Sequence, residues 1–240
     1  MIDHKQLLPS AFKYSVPVLL GYITLGAALG LFAVERGYPW YLSPIMGLIM
    51  YAGAGQFIAV GMFAAGATLA EMVLIQFVVN ARHLAYGLSM YRRYRSTGSF
   101  RLYLIFSLTD ETFALLSSSK EDFVTDLGER GRFMFLVSLF NQCYWVLGLL
   151  LGSLIGSIIP WDFYGVSFAL NALFIVLMIE QILRIKRPAP FIISALTAII
   201  AVFILPGVTS ARLSLLSAMI ISLGIIQLFE TRHKVKEAAP

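Results

Sequence analysis

Tyr51-Ala52-Gly53-Ala54-Gly55-Gln56-Phe57 lies in the middle of one apolar segment, and Asn80-Ala81-Arg82-His83 lies inside the next. Arginine, histidine and asparagine are costly within a membrane span, where they mark substrate or ion paths. Glycines beside a glutamine at mid-segment are the pattern of a helix interrupted at a binding site. The two stretches predict an all-α, polytopic membrane bundle with a polar working site inside it.

Composition supports that class. The chain of 240 residues is 59% hydrophobic and 13% charged, with a mean hydropathy of +0.82, whereas soluble domains carry about 25% charged residues. The apolar segments follow one another closely, so residues 1–240 are read as a single transmembrane domain. The net charge of +5 does not indicate nucleic acid, because the basic residues sit in short runs beside apolar segments, where they orient spans. A single cysteine, Cys143, excludes intrachain disulfides and thiolate metal clusters. The first apolar segment is too long for a signal-peptide core and is read as a retained span.

Spans are expected at about 14–34, 41–66, 69–91, 133–159, 163–183, 190–205 and 213–229. Stretch 100–119 is left open, because Thr109-Asp110-Glu111-Thr112 stands at its centre and adjacent carboxylates at mid-depth are costly unless paired or wetted. Leaving it as a re-entrant element gives about seven spans and places more lysine and arginine on the cytoplasmic side than a full crossing does. Gly26 and Gly30, four residues apart, suit close helix packing. With Pro39-Trp40 they resemble Gly148 and Gly152 followed by Pro160-Trp161, which suggests an inverted repeat.

The candidate site follows from helical spacing. Gln76, Asn80, His83 and Gly87 share one face of a helix, suited either to a cavity wall or to interhelical hydrogen bonds. Arg82 lies about 13–15 Å from the basic end of its segment, close to mid-membrane, and needs a partner or water. Asp110 and Glu111 are the candidate counter-charges. A break at Gly53–Gly55 would direct a helix N-terminus into the bundle, which attracts a carboxylate, and Gln56 adds donors and an acceptor there. The alternative for these glycines is simple close helix contact. No metalloprotease, nucleophile-elbow or phosphate-loop motif is present, so no enzyme and no cofactor is expected.

At these residues the chain resembles the AzlC-type family, the large subunits of bacterial branched-chain amino acid exporters. The resemblance is carried by Pro17, Leu20-Gly21-Tyr22 and Gly26, then by Tyr51–Phe57. Asn80-Ala-Arg82-His83 with Tyr86 follows, and then Thr109-Asp110-Glu111-Thr112-Phe113, all in the family's order and spacing. It extends over nearly the whole chain, densest before Asn141. Many members have serine where this chain has Gly55. The resemblance implies proton-driven secondary export of valine, leucine, isoleucine or methionine across the bacterial cytoplasmic membrane, with a small AzlD-type membrane subunit as partner. It supplies no site roles. By physics, Arg82 or the helix end at Gly53–Gln56 would take the carboxylate. Asp110 or Glu111 would take the ammonium or carry protons, and Gln76, Asn80 and His83 would line the route. The competing readings are a non-transporting membrane scaffold subunit and a transporter of another small solute.

Overall fold

The computed structural model describes residues 6–118, 127–158 and 188–204, with residues 175, 178–179, 182–183, 217–218, 221–222, 224–226 and 228 besides. The expected spans at 163–183 and 213–229 therefore lie largely outside the described residues, as does Pro160-Trp161 of the suggested repeat. Every regular element among the described residues is helical. The chain forms two compact units, Met1–Leu170 and Asn171–Pro240.

Within the first unit, α1 (Leu7–Glu35) and α8 (Leu127–Ile158) are the helices long and apolar enough to cross a bilayer. Both begin several residues before the expected spans, because residues read as polar approaches continue the helix. Pro17 sits inside α1 without ending it. The helix stops at Gly37, whose φ of +84° allows the closing bonds from Gly37 N–H to Val34 O (2.9 Å) and Tyr38 N–H to Ala33 O (3.1 Å).

The two long helices pack through their small residues. A Cβ added at Gly26 would lie 2.7 Å from the Trp145 carbonyl oxygen, and one at Gly148 would lie 2.6 Å from that of Ile23. A Cβ at Gly152 would overlap the backbone of Ala27, and one at Gly30 the backbone of Leu149. The expected packing face of Gly26 and Gly30 thus meets α8 backbone against backbone, at Trp145–Leu149 and at Leu149–Ser153. Ser15 Oγ and Tyr144 OH, 2.9 Å apart, bridge the two long helices, and Ser43 Oγ on the helix that follows α1 lies 2.5 Å from Ser153 Oγ of α8.

In the same unit three further apolar segments are interrupted. Segment 41–66 divides into α2 (Leu42–Ile49) and α3 (Ala54–Ala64). Segment 69–91 divides into α4 (Leu69–Asn80) and α5 (Arg82–Arg95), and stretch 100–119 into α6 (Arg101–Phe106) and α7 (Asp110–Ser118). A three-residue turn, Gly98–Phe100, leads into α6. α4 is opened by a capping box between Thr68 and Glu71. In the second unit, α9 (Ala189–Ile204) is a 16-residue apolar helix at the place of the expected span 190–205.

Broken helices leave carbonyl groups without intrahelical donors, and side chains from neighbouring helices supply them. Gln142 Nε2 reaches the carbonyls of Gly47 (3.4 Å) and Leu48 (3.3 Å) at the end of α2. Tyr14 OH donates to Leu115 O at 2.9 Å, and Arg93 donates to Leu116 O, at the end of α7. The breaks are thereby built into the first unit.

Candidate functional site

The break in segment 41–66 falls at Met50–Gly53, slightly before the expected Gly53–Gly55. Tyr51 has φ +38° and Gly53 has φ +47° with ψ −106°. A positive φ at a buried tyrosine is a strained conformation that the surrounding fold must hold. Gly55 and Gln56 then lie in the first turn of α3, both buried, and no side chain caps that helix start.

The break in segment 69–91 falls at Ala81, whose N–H bonds back only three residues, to Val78 O at 3.4 Å. Arg82 therefore opens a new helix rather than continuing the old one. Its Nη1 donates to Asp110 Oδ2 at 2.5 Å, with 40% of the Arg82 side chain and 23% of the Asp110 side chain exposed. Of the two candidate counter-charges, Asp110 is the one Arg82 meets. On the other side of the break, Gln76 Nε2 donates to Gly55 O at 2.7 Å, and Asn80 Nδ2 donates to Gln76 Oε1 at 2.9 Å. His83 Nδ1 lies 3.1 Å from Asn80 O and its ring packs edge-on against Tyr86. Gly87 lies within α5 and has no contact that ties it to this chain of bonds.

The third break, at Ser107–Thr109, presents Thr109 as the cap of α7. Its Oγ1 accepts from Thr112 N–H at 3.3 Å. Asp110 and Glu111 occupy the first turn of α7, where the helix dipole favours negative charge. Glu111 does not join Arg82. Its Oε2 accepts from Tyr22 OH at 2.7 Å, and the same hydroxyl lies 2.6 Å from Thr109 Oγ1. Thr109 Oγ1 in turn lies 3.0 Å from Thr112 Oγ1, which also accepts from Asn141 Nδ2 at 3.0 Å. One turn along α8, Trp145 Nε1 donates to Gln56 Oε1 at 2.8 Å.

Two polar clusters result, and consecutive residues feed both. Gly55 faces Gln76 and Asn80, whereas Gln56 faces Trp145. Asp110 faces Arg82, whereas Glu111 faces Tyr22. Tyr22, Thr109, Thr112, Asn141 and Trp145 do not stand out as candidate site residues in the sequence. Their signals were weak, because a tyrosine or threonine in an apolar segment is ordinary, and the acceptor that a buried indole requires is visible only in three dimensions. Among the described residues, no cluster of three histidine, cysteine, aspartate or glutamate side chains could hold a metal ion.

Span-length apolar helices with interrupted helices beside them are the features of a helical membrane protein, and the candidate site residues stand at the helix breaks. Residues 17–159 match the AzlC protein family, and the chain belongs to it. That range contains every candidate site residue. The chain is 40% identical over 186 residues to an uncharacterized membrane protein of Helicobacter pylori, covering 77% of this chain and 79% of the relative. It is 37% identical over 178 residues to the branched-chain amino acid transport protein AzlC of Bacillus subtilis, covering 74% and 69%. It is 31% identical over 161 residues to the inner membrane protein YgaZ of Escherichia coli, covering 66% and 65%. No solved structure matches the chain.

Proposed function

We propose that this protein is a secondary transporter that exports branched-chain or other small hydrophobic amino acids across the bacterial cytoplasmic membrane. The observation that carries the reading is the interruption of three apolar segments at points joined by polar side chains. That arrangement suits a substrate path. The transport name of the Bacillus subtilis relative supports the substrate class. In this reading the chain crosses the membrane about seven times, with 100–119 as a re-entrant element. A small AzlD-type subunit completes it, and export is coupled to protons.

The carboxylate of the amino acid is received by Arg82 or by the start of α3 at Gly53–Gln56. Asp110 or Glu111 receives the ammonium or carries protons, and Gln76, Asn80 and His83 line the route. Gly53 and Gly55 let the backbone turn and come close there. Apolar side chains select the substrate's own side chain.

The test is efflux of labelled valine from liposomes containing the full-length chain, alone and with the small subunit, against a panel of other solutes. Efflux of valine or leucine above protein-free liposomes is expected. Efflux by the chain alone would exclude the scaffold reading, and efflux of a different solute would replace the substrate class. No flux of any amino acid with both subunits present would overturn the proposal.

A further inference from the structure

Resting on that transport reading, we propose that two buried amides, Gln56 and Asn141, recognise the charged ends of the amino acid. The Gln56 amide nitrogen receives its carboxylate and the Asn141 amide oxygen receives its ammonium, with Trp145 as the positioning residue.

The argument begins with the orientation of Gln56, a side chain with 0% exposure. Trp145 Nε1 lies 2.8 Å from its Oε1, and an indole N–H can only donate. The oxygen end of the amide is therefore turned to Trp145, and the nitrogen end is presented elsewhere. That nitrogen is buried and has no hydrogen-bond partner. A buried, unsatisfied donor is costly and uncommon in folded proteins, and an acceptor of negative charge is the ligand that suits it. Gln56 also stands in the first turn of the 11-residue α3, a start that no side chain caps. The partial positive charge of a helix start favours the same ligand.

Asn141 supplies the complement. It too has 0% exposure. Its Nδ2 donates to Thr112 Oγ1 at 3.0 Å, and its Oδ1 is buried without a partner. An oxygen so placed suits a cation. Thr112 connects through Thr109 and Tyr22 to Glu111, so the negative charge of the cluster lies on the Asn141 side. Asn141 and Trp145 are four residues apart on α8, on one face and about 6 Å along the axis. The lone donor of Gln56, on α3 and oriented by Trp145, and the lone acceptor of Asn141 are thus tied to adjacent turns of α8, an arrangement that suits a zwitterion.

The test uses the full-length chain with its small subunit in detergent and three probes that differ only in their charged ends. These are L-leucine, L-leucinol, which lacks the carboxylate, and 4-methylpentanoate, which lacks the ammonium. Affinities are measured by calorimetry. The wild-type protein is expected to prefer leucine to each of the others by about tenfold or more, the scale of one hydrogen bond to a charged group. Gln56→Leu should abolish the preference over leucinol and keep the preference over 4-methylpentanoate. Asn141→Leu should do the reverse. Trp145→Phe should follow Gln56→Leu. Equal weakening of all three probes in the amide variants, or unchanged preferences, would overturn this assignment and leave the transport reading standing. A wild-type protein that binds no amino acid would overturn both.

Discussion

Arg82 donates from Nη1 to Oδ2 of Asp110 at 2.5 Å, across 28 positions of sequence. The contact joins the first residue of the helix after one break to the first residue of the helix after another. Two interrupted segments are thereby held by one charge pair, and the pair fixes where the acidic stretch lies against α5.

That geometry sets the first prediction. Arg82→Ala and Asp110→Asn should each lose export while the protein stays in the membrane. The exchanged pair, Arg82→Asp with Asp110→Arg, should recover part of it. Efflux rates and membrane abundance of the three variants check this; normal export by Arg82→Ala would remove the arginine from the working site.

Tyr22→Phe tests the second cluster. The substitution keeps the ring that packs against Trp145 with centroids 5.4 Å apart and removes the hydroxyl shared by Thr109 and Glu111. Losing a buried donor to a carboxylate should cost about 1–3 kcal/mol, and efflux should fall at least tenfold at unchanged abundance. Efflux equal to wild type would show that the hydroxyl is dispensable.

The glycine seam gives a stability prediction that is independent of function. Gly152→Ala places a methyl group against the backbone of Ala27, which cannot move aside as a flexible side chain would. Overpacking of this kind costs about 1–3 kcal/mol. Gly21→Ala is the control, since a Cβ there meets nothing within 4 Å. The thermal midpoint in detergent should drop for Gly152→Ala and hold for Gly21→Ala, and equal midpoints would contradict the packing.

Topology is open to direct labelling. Cysteines placed at Lys5 and Lys120, in a chain with Cys143→Ala to remove its exposed thiol, should react with an impermeant reagent from opposite faces. Labelling from the same face would mean that residues 100–119 cross the membrane and that the chain has one more span.

The sequence alone determined the class, because burying so much apolar surface in helices leaves a bilayer as the fitting solvent. It also marked a candidate site, because Gln56, Arg82, Asp110 and Glu111 are expensive in hydrocarbon wherever they fall. It placed Gly26 and Gly30 on a packing face by their spacing. What it left open were choices between neighbours: Asp110 or Glu111 for Arg82, and the residue at which each segment breaks. Gln76, Asn80 and His83 were legible as one helical face, but a helix drawn through Ala81 conceals that the chain restarts at Arg82. Trp145, Asn141 and Tyr22 were not legible as site residues. A side chain's hydrogen-bond partner from a distant helix is decided by how α1 and α8 close against each other. Periodicity reports which face a residue occupies; only the tertiary structure decides what stands opposite. That is why Tyr51–Phe57 and Asn80–His83 pointed to a site, while the partners of Gln56 and Arg82 had to come from the fold.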